Sequence, residues 1–329
     1  MNKSALPLVI VSHALPDGWL DLLQDKCQLV IGPEESEGLT PELENWLPET
    51  QGLFSLLTLK VDDKLLSRAP NLKVVSNMAV GFDNVDINSC TKRGLPVGHT
   101  PGVLTDGTAD LTMAIMLAAA RRITEASQDA RQGRWKTWSP TGWLGMDFRD
   151  ATLGIVGMGQ IGSGVAERAL GFGMKIRFTD SNLKHDLADR FKAKQVPLET
   201  LLKSSDIVTL HVPLTAETHH LINEERLKSM KSNALLVNTS RGLIVDNNAL
   251  VSALENKWIA AAALDVTDPE PLPTDHPLFG LSNCLIVPHI GSATWNTRRK
   301  MAERACENLI AGLHEQRLPY CANPEVYNA

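Results

Sequence analysis

The 329-residue chain is poor in aromatic side chains, at 5%, and holds only two tyrosines. Its five cysteines, Cys27, Cys90, Cys284, Cys306 and Cys321, are odd in number and widely scattered. No two of them stand at the spacing of a zinc or thiol-redox motif. Neither a metal centre nor a disulfide scaffold is therefore expected, and a reducing, cytoplasmic setting is. No apolar run is long enough for a membrane span: the longest, residues 111–120, is about half of the ~20 residues needed. The N-terminus lacks the layout of a secretory signal. Charge of one sign is also in short supply. Lys plus Arg number 32 against 38 Asp plus Glu, a net charge of −6. That balance removes the electrostatic basis for nucleic-acid binding or for a polybasic membrane surface, although a few local donors can still hold a small anion. No repeat of fixed period and no low-complexity segment is present. What remains is globular in composition, 43% hydrophobic and 21% charged, and long enough for two domains.

The pattern alternates strand and helix almost throughout, as in parallel sheets covered on both faces. Strands are expected near 8–12, 28–31, 52–57, 72–76 and 96–98, with helices over 17–25 and 62–69, the second stopped by Pro70. A long helix fits 106–122, with Asp106 placed to cap it. An aromatic, glycine-containing excursion follows over 133–150, holding Trp135, Trp138 and Trp143. A second series opens at Ala151, with strands near 152–156, 175–178, 207–212, 234–238, 261–265 and 284–287. These are short and apolar, as strands buried on both faces should be. A final helix over 293–313 belongs obviously to neither series. The elements alone thus divide the chain near residue 104.

Gly157-Met158-Gly159-Gln160-Ile161-Gly162 is a G-x-G-x-x-G between a strand candidate and a helix candidate. Gly157 permits the tight turn, Gly159 lets backbone approach a pyrophosphate, and Gly162 lets helix and strand pack closely. The helix N-terminus offers free amides and partial positive charge to phosphates. Asp180 stands 18 positions after Gly162, at the end of the next strand. A carboxylate there can accept the ribose hydroxyls of an adenosine and would repel a 2′-phosphate, so NAD(H) is favoured. Lys184 and His185 nearby leave NADP(H) open.

A nicotinamide enzyme also needs a proton donor and a substrate anchor. Of nine histidines, His13, His185, His219, His220, His276 and His314 read as solvated side chains. His99, in a loop before Pro101, is assigned no chemistry, and His211, at a strand end, reads as structural. His289 differs, because Pro288-His289-Ile290-Gly291 directly follows a strand, where functional residues of open α/β sheets gather. Arg241, in Asn238-Thr239-Ser240-Arg241-Gly242, suits a bidentate grip on a carboxylate. Asp265 ends another strand, and Glu270 lies between Pro269 and Pro271, which restrict its backbone. A carboxylate beside an imidazole orients it and favours its charged form. Each residue alone reads more readily as ordinary surface than as catalytic; three at the ends of strands in one sheet do not.

Together these motifs resemble the D-isomer-specific 2-hydroxyacid dehydrogenases. The resemblance spans nearly the whole chain, from Asn77-Met78-Ala79-Val80-Gly81-Phe82-Asp83-Asn84-Val85-Asp86, through Ser240-Arg241-Gly242 and Asp268-Pro269-Glu270-Pro271, to Pro288-His289-Ile290-Gly291-Ser292. It implies two Rossmann/flavodoxin-like α/β domains: an NAD(P)-binding domain, 105–295, inserted into a smaller flavodoxin-like substrate domain, 1–104 plus 296–329. Arg241, Glu270 and His289 would be the catalytic set. Within the family the chain most resembles glyoxylate/hydroxypyruvate reductases, through Lys92-Arg93-Gly94, Thr100–Asp106, Leu264–Leu278 and Trp135-Lys136-Thr137-Trp138. That implies a homodimer in which Trp138 reaches the partner's active site. NADPH-preferring relatives usually carry a basic residue just after the second strand, where this chain has Asp180-Ser181-Asn182.

The resemblance therefore implies reduction of a small 2-keto acid. Arg241 and the amides of Val80 and Gly81 would hold its carboxylate, and His289, oriented by Glu270, would protonate its keto oxygen. Thr105, Thr239, Asp265 and Gly291 would stand near the nicotinamide, Val212, Pro213 and Thr218 near the adenosine, and Met158, Gln160 and Ile161 in the phosphate turn. Neither metal, membrane nor nucleic acid is expected as a partner. A 2-ketogluconate or broad 2-keto-acid reductase is the alternative, with residues 56–60 and Trp138 setting pocket size. Phosphoglycerate dehydrogenase is disfavoured, since the chain ends soon after its closing helix. Formate dehydrogenase is disfavoured by Glu270. A nucleotide-sensing, corepressor-like binding protein is more remote, given Arg241, Glu270 and His289 together and short termini.

Overall fold

The computed structural model describes residues 6–328. The chain divides into two compact units: one comprises the stretch up to Leu104 together with that from Thr294 onward, the other Thr105–Ala293.

The first unit is built on five parallel strands, β1 (Leu8–Val11), β2 (Gln28–Ile31), β3 (Gly52–Ser55), β4 (Val74–Asn77) and β5 (Val97–Gly98), in the order β2-β1-β3-β4-β5. β1, β3 and β4 are buried along their whole length, whereas the edge strand β2 is partly exposed. Continuous apolar runs are what a sheet covered on both faces requires. The helix Trp295–Leu313 packs on β3 and β4, burying Met301, Ala302, Ala305 and Leu309, and Thr294 caps its start by accepting from the Thr297 amide. Asn308 fastens this helix to the sheet's far end. Its Nδ2 donates to the His99 carbonyl at 3.0 Å, and its Oδ1 accepts from the Tyr320 amide at 3.1 Å.

Two sequence expectations fail in this unit. The helix over 17–25 is only a single 3-10 turn, Asp21–Leu23, because Gly18 adopts φ +81° and leaves the helical region. His13 is not solvated but buried, its ring hydrogen-bonded to Ser12 Oγ at 2.9 Å and to the Ser36 carbonyl at 2.9 Å.

The second unit holds seven parallel strands: β6 (Thr152–Val156), β7 (Lys175–Thr179), β8 (Lys194–Gln195), β9 (Ile207–Leu210), β10 (Leu235–Asn238), β11 (Ala261–Leu264) and β12 (Cys284–Ile286). Their order is β12-β11-β10-β9-β6-β7-β8. Side chains alternate between faces, as strand geometry demands. Ile155, Ile207 and Val237 join one apolar cluster, while Val156, Val208 and Leu236 join the other. From β6 the chain runs outward through β7 and β8, then returns to lay β9 on the other side of β6. The carboxyl ends of β6 and β9 are thus the topological switch point, where open α/β sheets bind ligands.

The helix Thr105–Ala120 packs on the helix Gln160–Gly171 and on β10 and β11. Asp106 does not cap it. The helix already begins at Thr105, and Asp106 lies in its first turn, where it and Asp110 receive Arg168 at 3.0 and 2.6 Å. A further helix, Ile123–Arg131, was not expected; it follows Arg122 at φ +53° and buries none of its residues. Residues 133–150 are irregular, with Trp135 73% and Trp138 79% exposed, while Trp143 lies under the Arg122 guanidinium at 4.8 Å. Among the described residues no helix is long and apolar enough to cross a membrane, and no group of His, Cys, Asp and Glu could hold a metal ion.

Candidate active site

In the second unit the sequence motifs gather at the carboxyl ends of the strands. The turn after β6 shows why three glycines are needed there. A Cβ on Gly157, at φ +94°, would lie 2.7 Å from the His211 carbonyl, and one on Gly162 would lie 2.1 Å from the Gly157 carbonyl. These two glycines let the turn close and the helix Gln160–Gly171 start against it. Gly159 is different: a Cβ there would meet no protein atom within 4 Å. It is also the N-cap residue of that helix and supplies no side-chain cap. An open position beside uncapped helix amides fits a dinucleotide pyrophosphate. Asp180, after β7, accepts from the Met158 amide through Oδ2 at 3.0 Å and from the Asn182 amide through Oδ1 at 3.0 Å. It braces the turn and still has lone pairs for ribose hydroxyls. After β9, Thr218 Oγ1 donates to the Pro213 carbonyl at 2.6 Å and accepts from the Thr215 amide at 2.8 Å, so its hydroxyl shapes the loop carrying Val212 and Pro213. Thr105 Oγ1 donates to Gln160 Oε1 at 3.3 Å.

The ends of β10, β11 and β12 carry the three side chains expected to be catalytic, Arg241, Glu270 and His289. After β10, Asn238 Oδ1 accepts from the Ser240 amide at 3.1 Å and its Nδ2 donates to the Arg241 carbonyl at 2.8 Å, fixing the turn that bears Arg241. Gly242 is pressed on the neighbouring turn, since a Cβ there would sit 1.9 Å from the Thr267 carbonyl. Arg241 Nη1 donates to the Ser240 carbonyl at 2.8 Å. Thr239 Oγ1 meets Thr112 Oγ1 at 2.9 Å, so its hydroxyl is tied to the helix Thr105–Ala120.

Asp265, after β11, is buried and accepts from the amides of Ile290 at 2.6 Å and Gly291 at 2.9 Å. Burial holds its carboxyl above the usual carboxylate range even though both amides favour the charge. Asp265 thereby organises the turn after β12, in which His289 takes φ +50° and donates its own amide to the Asp265 carbonyl at 2.9 Å. A non-glycine residue held in the left-handed region at a strand end marks a backbone shaped for its side chain. His289 Nδ1 is hydrogen-bonded to Glu270 Oε1. A carboxylate only accepts, so Nδ1 carries the proton and Nε2 is the ring atom left for chemistry. The pair is reachable, with side chains 29% and 41% exposed.

The expected substrate residues Val80 and Gly81 belong to the first unit, in the half-buried turn after β4. There Asn77 Nδ2 donates to the Gly81 carbonyl at 3.0 Å, and His99 Nδ1 bonds the Val80 carbonyl at 3.0 Å. Neither the anchoring work of Asp265 nor that of Asn77 and His99 was read from the sequence. Asp265 and His99 reach partners beside the neighbouring parallel strand, 25, 26 and 19 residues away, and Asn77 reaches Gly81 four residues on within one irregular turn, so no motif spacing signals these bonds.

Residues 113–291 match the model of the D-isomer-specific 2-hydroxyacid dehydrogenase, NAD-binding domain. The chain belongs to the D-isomer-specific 2-hydroxyacid dehydrogenase family. A glyoxylate reductase of Korarchaeum cryptofilum is 46% identical over 97% of this chain and 97% of its own. The fold is also that of solved members. A D-lactate dehydrogenase from Aquifex aeolicus, solved with NAD and lactic acid, aligns at a TM-score of 0.85 with 30% identity, covering 96% of this chain and 99% of that one. An NADPH-dependent glyoxylate/hydroxypyruvate reductase from Sinorhizobium meliloti, solved with NADP and malonate, aligns at 0.84 with 29% identity, covering 97% and 98%.

Proposed function

We propose that this dehydrogenase reduces small 2-keto acids, glyoxylate and hydroxypyruvate, to D-2-hydroxy acids. The observation that carries this is the His289–Glu270 pair, which joins the segments after β12 and β11, with the turn of Arg241 after the adjacent β10. Relatives named glyoxylate reductase, 46% identical over nearly the full length, support the substrate class. A nicotinamide dinucleotide, held by the turn Gly157–Gly162 and by Asp180, supplies the hydride when bound. Asp180 favours NAD(H), because a carboxylate repels a 2′-phosphate.

Arg241 takes the substrate carboxylate through its guanidinium, with the amides of Val80 and Gly81 as further donors. The keto oxygen accepts the proton that His289 holds at Nε2, and Glu270 stabilises the imidazolium before transfer and keeps the ring in place. Asp265 fixes the backbone from which the ring projects. We read the exposed Trp138 as reaching a second copy of the chain in a homodimer. The five free cysteines support a cytoplasmic setting.

Replacing His289 by Gln should leave NADH binding within about twofold while glyoxylate reduction falls by ~10² or more. Stopped-flow turnover beside fluorescence titration of NADH measures both, and unchanged turnover would sink the assignment. Screening 2-keto acids with NADH and NADPH separates this reading from a 2-ketogluconate or broad 2-keto-acid reductase. Consumption of neither cofactor would favour a nucleotide-sensing binding protein.

A further inference from the structure

The turn after β4 is held in an unusual way. Three successive carbonyls are each pinned by a donor from the body of the first unit: Ala79 by the Thr100 amide at 2.8 Å, Val80 by His99 Nδ1 at 3.0 Å, and Gly81 by Asn77 Nδ2 at 3.0 Å. In a trans peptide the C=O and the N–H that follows it point to opposite sides of the chain. The described cis bonds are Asp268-Pro269 and Glu270-Pro271, so these three peptides are trans. Pinning the three carbonyls inward therefore turns the amides of Val80, Gly81 and Phe82 away from their anchors. Among the described residues those amides donate to no carbonyl or side chain. Consecutive free amides on one turn make an anion site.

Of the three anchors, one is backbone and one, Asn77, is fully buried among Ser55 and Asn84. The third is a half-buried histidine. The Val80 carbonyl can only accept, so His99 must carry its proton on Nδ1. Its ring also stands edge-on to Phe82, with centroids 5.5 Å apart, and its backbone is tied to Tyr320 and Asn308. The ring is therefore placed by atoms that a side-chain substitution would not remove.

We propose that His99 is a positioning residue for substrate binding: by donating from Nδ1 to the Val80 carbonyl, it holds the Gly81 amide toward the carboxylate of the 2-keto acid. This rests on the substrate reading above and names a residue that does not itself touch substrate. Asparagine can place its Nδ2 where the histidine has Nδ1, whereas glutamine mimics Nε2 and leucine offers no donor.

The test compares His99→Leu, His99→Asn and His99→Gln in the full chain. His99→Leu and His99→Gln should raise the KM for glyoxylate about tenfold, with kcat within about twofold and the NADH dissociation constant unchanged, and His99→Asn should restore KM to within about twofold of the parent. Oxalate binding, followed by calorimetry in the presence of NADH, should weaken and recover in the same order. If leucine leaves both KM and oxalate affinity unchanged, or if asparagine rescues no better than glutamine, the proposal is overturned. Should the parent reduce no 2-keto acid at all, the functional reading fails, while the order of oxalate affinities still decides the role of His99. A variant whose melting temperature drops is judged by the Asn-to-Gln comparison, in which the backbone ties of residue 99 are common to both.

Discussion

A buried carboxylate needs donors, and Asp265 finds them in the two amides that follow His289. The consequence is mechanical: the imidazole stands on a backbone at φ +50° that Asp265 stabilises, and its Nδ1 is taken by Glu270. Arg241 stands on a turn laced by Asn238 in the same manner. Truncating Arg241 to Ala should leave that turn intact, because Asn238 bonds its backbone and not its side chain. The KM for glyoxylate should then rise about tenfold to a hundredfold, the cost of a lost charge-assisted hydrogen bond, with NADH binding nearly unchanged. An unaltered KM in steady-state assays would remove Arg241 from substrate binding. That Arg241, Glu270 and His289 stand beyond strand ends was legible in the sequence because each follows a short apolar strand, and strand ends are where such sheets put chemistry. Asp265 was legible as a strand-end acid but not as a scaffold. Its bonds reach residues 25 and 26 positions on, through pairing of β11 with β12.

At the scale of an element, the glycine turn separates two duties that the bare motif merges. Gly162 faces protein, whereas Gly159 faces open space. Gly162→Ala should force the turn apart and destabilise the fold by ~1–3 kcal/mol, as overpacking does. Gly159→Ala should leave the melting temperature within a degree or two, yet weaken NADH binding at least about tenfold, because its methyl occupies the position that suits a phosphate. Thermal melts and fluorescence titration on the two variants check this; a Gly159→Ala protein that binds NADH like the parent would refute the assignment of the open position. The central strands were readable because their apolar residues stay buried on both faces, whereas the edge strand β8, the polar pair Lys194–Gln195, was not expected. Helices were less readable. Residues 17–25 carry helical spacing, but one glycine at φ +81° breaks it, and the helix Ile123–Arg131 is amphipathic in sequence yet buries no residue.

For the whole molecule, the acid side is where stability should be lost, and the two groups responsible, His211 and Asp206, are both held below their ordinary values. His211, beside the phosphate turn, bonds Thr209 Oγ1 through Nε2 at 2.9 Å, and its Nδ1 is buried without a partner among the described residues. Burial pushes its imidazole down to about 3. The unfolded chain takes up that proton near pH 6.5, so between there and pH 3 the unfolded state binds more protons and stability falls as pH falls. The slope from this one group is at most ~1.4 kcal/mol per pH unit. Asp206 acts lower on the scale. Burial works against its charge, but the Lys231 ammonium at 2.7 Å and the Thr152 amide at 2.8 Å outweigh it and hold its carboxyl below the usual range. Its contribution is present above the unfolded carboxylate value of about 3.9 and disappears below it. Urea melts from pH 8 to pH 3 should accordingly show a decline that begins near pH 6.5 and steepens below about pH 4. His211→Gln retains a partner for Thr209 and cannot titrate, so it should flatten the upper part of that decline and leave the lower part in place. An unchanged slope between pH 6.5 and 4.5 in that variant would show that the acid sensitivity of the molecule arises elsewhere than at its switch point.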